Sequence, residues 1–409
     1  MSNSTYNIVP IHWGSRGIGI PDWFSEFTLC LSPLIAHILS GAPRPSYLTS
    51  NRPKWHDRLC LLNPISIVWR YAAITERRIQ TRDWQPKDIA VANAVFWTPR
   101  GWDGSKIMRW RAMSYMSYLP QRNRVEFLSL EMLKTIILFL QGVQAVTAIL
   151  CNYTSTGDFT SFDTISGLFI PLGIAGLLRV FAAPWLTDDF NFGISSHGAE
   201  RPLRSTNGRR TMPLLMLDDI GYGYGQKEQY QSSGAADGHP WLCGILRGLF
   251  MLPVVGSWAL SFIYVTPWIG SFGLKGVYTT TGFVFGLYYM FLTTPMLLII
   301  GYYFCKGPLE TTIIPCISRV WYKVYCVALT LFTIILVVIT AVETRKTVCG
   351  KYTSHATGSQ HPCATGNTKL IEIGPTSDQG FGIIQAVSGQ TVVTNLTGSC
   401  IGTLTPINH

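Results

Sequence analysis

The run VYCVALTLFTIILVVITAV, Val324–Val342, carries no charge and no helix breaker. A bilayer core takes about 20 apolar residues of helix, because lipid offers no partner for an unpaired peptide group and a helix satisfies its own. Four further runs meet or approach that length: Leu133–Cys151, Thr164–Leu186, Trp241–Val265 and Thr281–Cys305. A sixth, Trp23–Gly41, is weaker, since it contains Glu26, Pro33 and His37. Its alternative is a buried or interfacial helix. The expected fold is therefore all-α: a bundle of about six transmembrane helices with amphipathic interfacial helices and a small extramembrane carboxy-terminal tail.

Composition points the same way. Hydrophobic residues make up 47% and charged residues 13%, with a mean hydropathy of +0.24. A soluble domain carries about 25% charged residues.

Charge then sets an orientation. Arg16 is the only base before the first run, while Arg44, Arg52, Lys54 and Arg58 follow it closely. Basic flanks stay in the cytosol, so a retained anchor with its amino terminus outside fits better than a cleaved signal peptide, which needs a basic start. Residues 42–130 hold 15 Lys and Arg against 6 Asp and Glu, a surplus of nine beside a whole-chain net charge of +10. The loop at 152–163 has no base, residues 187–240 have five, 266–280 have Lys275 alone, and 306–323 have three. Six spans with both termini lumenal or extracellular satisfy this alternation. The chain divides into a tail (1–22), a first span (23–41), a Trp/Arg-rich cytosolic interfacial region (42–132), spans two and three (133–186), a cytosolic loop (187–240), spans four to six (241–342) and a second lumenal tail (343–409). An endoplasmic reticulum or other secretory-pathway membrane is the expected location.

Two further signals bear on this topology. The N-x-Ser/Thr acceptors Asn3, Asn152 and Asn395 all fall on the outer side, Asn152 hard against the membrane. Cys151, Cys349, Cys363 and Cys400 fall there too, where an oxidising lumen permits two disulfides in any of three pairings. Cys60, Cys243, Cys305, Cys316 and Cys326 read as small buried apolar residues, and with no C-x-x-C pair a zinc site has little support.

Between the first two spans, Trp55, Trp69, Trp84, Trp97, Trp102 and Trp110 are interleaved with arginines. Trp and Arg favour the headgroup zone, so the region reads as a platform on the cytosolic leaflet or a collar packed on the bundle. Leu59–Thr75 and Ile89–Trp97 look like amphipathic helices. Bases lodged between spans do not suit nucleic acid. Short β-prone stretches such as Thr391–Thr394 allow a small β structure in the tail.

Ionisable residues inside spans are the best pointers to chemistry, being costly in hydrocarbon unless paired or wet. Arg179 and Arg247 lie there, and Arg179 reads as a clamp for an anionic substrate, or as snorkelling to lipid phosphate or pairing with an acidic neighbour. Glu131 and Lys134 are spaced to pair on one helical face. Asp188-Asp189 and Asp218-Asp219 could hold magnesium against a diphosphate, with Arg179 and Arg247 neutralising the same group. Against this, Asp-Asp is a common dipeptide, the pairs lack the longer Asp-rich spacing of membrane prenyltransferases, and ordinary helix capping explains many such pairs. The candidate catalytic set is Asp188, Asp189, Arg179 and Arg247, and the candidate metal ligands are Asp188, Asp189, Asp218 and Asp219. Gly221-Tyr-Gly-Tyr-Gly225 lacks the strand and helix of a nucleotide fingerprint. Pro33, Pro171, Pro253 and Pro295 imply kinks.

Phe27–Gly41, Leu62–Tyr71, Asn93–Trp97 with Trp102-Asp-Gly104, and Pro184–Asp189 resemble an uncharacterised family of polytopic integral membrane proteins of filamentous fungi. The resemblance covers about the first half of the chain, implies a polytopic membrane protein and transfers no catalytic residue. These readings combine into a membrane-embedded enzyme acting on an isoprenoid or other lipidic substrate, in fungal secondary metabolism. The alternative is a non-catalytic transporter, channel or scaffold. Membrane lipids are partners on either reading.

Overall fold

The computed structural model describes residues 7–47, 51–156, 168–192, 240–266, 277–346, 352–354, 372–375, 381–387, 390–395 and 405–406. Asn3, Asp218, Asp219, Cys349, Cys363 and Cys400 lie outside them. For Asn152 and Asn395 the description stops at the backbone.

The chain is mostly helical. Eleven α-helices follow one another among the described residues: α1 Ile20–Gly41, α2 Trp55–Leu62, α3 Pro64–Gln80, α4 Pro86–Asn93, α5 Lys106–Ala112, α6 Leu130–Thr156, α7 Ile170–Leu177, α8 Arg179–Ala182, α9 Pro240–Val265, α10 Thr280–Lys306 and α11 Val320–Glu343. Five of them, α1, α6, α9, α10 and α11, are long and apolar enough to cross a membrane. The weak first run is thus a full-length helix, with Pro33 inside it.

The third run differs from expectation. Its described part, 168–186, holds the shorter apolar helix Ile170–Trp185, broken after Leu177, with α7, α8 and a 3-10 turn in succession. At 1.5 Å per residue that helix reaches about 24 Å, less than the roughly 30 Å of hydrocarbon. Pro171 does not kink it but starts α7, where a missing N–H does no harm. The run stays close to α6 through small residues: a Cβ on Gly142 would meet Gly173 O at 2.8 Å, and one on Gly173 would meet Gln141 O at 3.3 Å. Glycine at such a seam lets two backbones approach where side chains would hold them apart.

The long helices carry their large apolar side chains outward. Leu133, Phe139, Leu140 and Leu150 on α6, and Leu331, Ile334, Ile335 and Val338 on α11, are all exposed. That is the inverse of a soluble helix and suits contact with acyl chains.

Helix α3 occupies a different place from an interfacial one. Every residue from Pro64 to Arg77 is buried, on all faces of the helix. It lies where the helix ends converge: Gly41 at the end of α1 packs on Ile67 and Tyr71, Leu246 and Phe250 near the start of α9 join its core, as do Phe304 late in α10 and Tyr322 and Cys326 early in α11. Its amino terminus is built for the spot, with Pro64 at the first turn and the Asn63 side chain accepting from Ile65 N–H at 2.9 Å. The second amphipathic stretch divides: α4 ends at Asn93, and Val95–Thr98 is a strand between Pro45–Tyr47 and Gly101–Asp103.

The opposite ends of the helices collect other segments. Asn7–Ile8 pairs with Val277–Tyr278 just before α10. Glu343, closing α11, accepts from Thr281 N–H at 2.7 Å and lies 3.9 Å from His12. Arg345–Lys346 pairs with Tyr352–Thr353, and Ser354 bonds Thr279 at 3.0 Å. The amino-terminal segment and the segment after α11 therefore share the end away from α3. Farther on, Glu372–Pro375, Phe381–Val387, Gln390–Asn395 and Thr405–Pro406 form a four-stranded antiparallel sheet, the β structure that Thr391–Thr394 anticipated.

Candidate functional site

Charge gathers at the α3 end, and most of it is already spent on internal partners. Arg179, wholly buried, donates through Nη2 to Glu131 Oε2 at 2.9 Å, through Nε to Thr135 Oγ1 at 2.8 Å and through Nη1 to the Ser40 carbonyl. Glu131 also holds Lys134 at 2.5 Å, as the i,i+3 spacing anticipated. Arg179 thus ties α8 to α1 and α6. The acidic neighbour expected for Arg179 as one reading is Glu131.

Arg247 behaves alike. Its Nε and Nη2 grip Glu76 Oε2 and Oε1 at 2.8 and 2.6 Å, and its Nη1 donates to the Phe304 carbonyl at 2.9 Å. Glu76 is fully buried and accepts in addition from Leu309 N–H at 3.0 Å and Gln80 Nε2 at 2.8 Å. A buried carboxylate stays charged only when its lone pairs are filled in this way. Neither arginine is left open as an anion clamp.

Arg70 and Arg77 of α3 are committed as well. Arg70 donates to the Gly41 carbonyl at 2.9 Å and to Asn93 Oδ1 at 3.1 Å. Arg77 donates to the carbonyls of Gly104 and Glu310 at 2.7 and 2.8 Å, stapling two loops over the helix. Burial lowers the Arg70 pKa, opposed by the nearby Asp188 carboxylate, and raises that of Tyr71. His37 is fully buried in α1 near Arg179, and neither of its ring nitrogens has a hydrogen-bond partner.

Asp188 is half-buried and Asp189 exposed, in the segment after the broken third run. Thr187 Oγ1 accepts from Asp189 N–H at 3.0 Å, a local turn contact. Among the described residues no three His, Cys, Asp or Glu side chains gather closely enough to hold a metal ion. Of the candidate catalytic residues, Arg179 pairs with Glu131 and Arg247 with Glu76, while Asp188 is close enough to Arg70 to oppose the burial shift on it. Cys151 is exposed near the far end of α6.

Sequence reading missed Glu76 as the partner of Arg247 and Asp57 as an anchor. Asp57 binds Lys323 of α11 at 2.6 Å, caps Lys54 N–H at 3.2 Å and takes Trp102 Nε1–H on its carbonyl at 2.8 Å. The signal available was an acidic residue in an otherwise basic, Trp-rich stretch.

A cleft between α6, α7, α9 and α10, lined by Ile149, Ile174, Leu260, Tyr264, Phe285 and Tyr289, holds about 50 Å³. Small-molecule pockets take about 300–1,000 Å³. An isoprenoid does not fit this cleft.

These features define a helical protein with five helices long and apolar enough to span a bilayer and a charged, interlocked layer at one end. Compared with family models, with curated proteins and with solved structures, the chain gives no match in any of the three.

Proposed function

We propose that this chain is a multi-pass integral membrane protein that serves as a lipid-contacting scaffold, with α3 and its neighbours forming a rigid floor at the cytosolic leaflet. The third run is a sixth crossing segment in this reading, short because it is packed against α6 rather than bathed in lipid. Both tails then face the lumen of the secretory pathway, in accord with the sharing of one end by residues 7–14, 343–346 and 352–354.

The observation that carries the reading is the occupation of both intramembrane arginines by internal carboxylates. Charges locked in this way hold elements in register. The small volume of the cleft between α6, α7, α9 and α10 agrees with lipid met at the surface.

An enzyme acting on a lipidic substrate is the second reading, favoured by the closeness of Asp188 to Arg70 at the same end. Magnesium would belong to Asp188 and Asp189 there. The two readings separate on Asp188→Ala with Asp189→Ala in cells whose only copy is the variant. A scaffold predicts metabolite levels equal to wild type with normal insertion. Selective loss of one metabolite from a normally inserted variant would establish the enzyme instead.

A further inference from the structure

Three basic residues at the α3 end are not spent. Arg78, Arg82 and Arg124 line an open cavity of about 340 Å³ together with Asp83, Trp84, Gln85 and Asn123. The volume lies within the range of ligand sites. Among the described residues none of the three arginines has an ion-pair partner, which sets them apart from Arg179 and Arg247. Arg78 keeps a bond to the Thr81 carbonyl at 3.1 Å, and its guanidinium lies 5.8 Å from the Trp84 ring and 5.9 Å from that of Trp185.

The cavity is rich in donors. Trp84 is only 6% exposed, lines the cavity, and its Nε1–H has no acceptor. An indole N–H donates and cannot accept. Three guanidiniums add forked N–H pairs, the geometry that suits phosphate oxygens. Asp83 supplies one exposed carboxylate among these donors. It would repel a bare anion, yet it accepts well from hydroxyl groups. Phosphate next to hydroxyls satisfies both halves of the lining.

Position identifies the carrier. Three residues beyond Arg124 the chain presents Phe127 at 75% exposure, Leu128 at 96% and, beginning α6, Leu130 at 67%. Side chains that apolar and that exposed belong in acyl chains. Arg124, one turn earlier, then stands at headgroup depth, and Val125 N–H is fixed to the Pro184 carbonyl at 2.9 Å beside Trp185. Trp and Arg are the residues that favour this zone.

We infer that the Arg78–Arg82–Arg124 cavity binds the phosphorylated polyol headgroup of an anionic lipid in the cytosolic leaflet. The inference rests on the membrane reading above, and it names the lipid that the scaffold holds. No bond is made or broken; binding is ionic and weakens as salt rises.

Native mass spectrometry of the purified full-length chain, delipidated in detergent, tests it. The probes are phosphatidylinositol 4-phosphate, phosphatidylcholine of the same chains, and water-soluble inositol phosphate. The expected result is at least a tenfold preference for the phosphoinositide over phosphatidylcholine, reduced at least tenfold in Arg82→Ala with Arg124→Ala. Arg44→Ala with Arg58→Ala, two exposed bases outside the cavity, should bind as wild type. Equal retention of the two lipids by wild type overturns the headgroup assignment. Retained preference in the Arg82/Arg124 variant overturns the cavity while leaving the scaffold reading standing. Inositol phosphate binding as tightly as the lipid would assign the cavity to a free solute and overturn the membrane source.

Discussion

Glu76 and Arg247 meet side-on, Oε2 to Nε at 2.8 Å and Oε1 to Nη2 at 2.6 Å, with the carboxylate fully buried. Because Glu76 also takes the Leu309 N–H, and Arg247 the Phe304 carbonyl, one pair joins α3, α9 and the end of α10. The pair is thus a joint between the floor and the spans.

Removing one partner strands the other. Arg247→Leu is expected to destabilise by about 3–5 kcal/mol, the usual penalty for a lone buried charge. Glu76→Leu with Arg247→Leu should recover part of that loss, since neither charge then remains. A double-mutant cycle on thermal unfolding in detergent reads the coupling, and strictly additive effects would show that the pair does no joining.

Two glycines should respond in opposite ways. A Cβ on Gly142 meets Leu177 Cδ2 at 2.5 Å and Gly173 O at 2.8 Å, and backbone cannot give way. Gly142→Ala should cost about 1–3 kcal/mol, as overpacking does. Gly248, inside α9, has nothing within 4 Å of its Cβ position. Gly248→Ala should be neutral or stabilising by up to about 1 kcal/mol, the helix-propensity gain. Melting temperatures of the two variants check both signs.

Asp57 should matter more than its place in a basic stretch suggests. Asp57→Ala removes the α2 cap and the Lys323 contact. The loss of a cap alone is worth about 0.5–2 kcal/mol. Limited proteolysis should cut the variant faster between residues 42 and 63, whereas an unchanged rate would show α2 is held by its apolar contacts alone.

Tyr71 gives an alkaline signature. Its pKa is raised above the ordinary 10.0, chiefly by burial, with Arg179, Arg70 and Glu131 nearby. The neutral phenol is therefore favoured in the folded state. Its contribution is complete below about pH 10 and is lost as pH climbs through the raised folded value. Tyr71→Phe should flatten this part of the stability profile above pH 10 in chemical unfolding, relative to wild type. Identical alkaline slopes would exclude it.

The spanning helices were legible because lipid imposes one rule, apolar length, on α6, α9, α10 and α11. Ile170–Trp185 escaped that rule, since Gly173, Gly176 and the break at Leu178 reflect packing on α6, which apolar length does not report. The charges were legible as unusual but not as paired. Glu131 and Lys134 lie three apart, so their contact follows from helix geometry, whereas Glu76 and Arg247 are separated by 171 positions and only the fold joins them. The burial of α3 was hidden for the same reason: with Arg70, Glu76 and Arg77 it reads as a surface helix until each charge has found its partner.

Protease treatment of sealed secretory-pathway vesicles, with one epitope tag after His409 and another in the Arg100–Gly101 turn beside α3, tests the membrane arrangement most directly. The arrangement proposed here predicts that the Arg100–Gly101 tag is cut from outside while the tag after His409 stays protected until detergent is added. Protection of the first tag with loss of the second would contradict it.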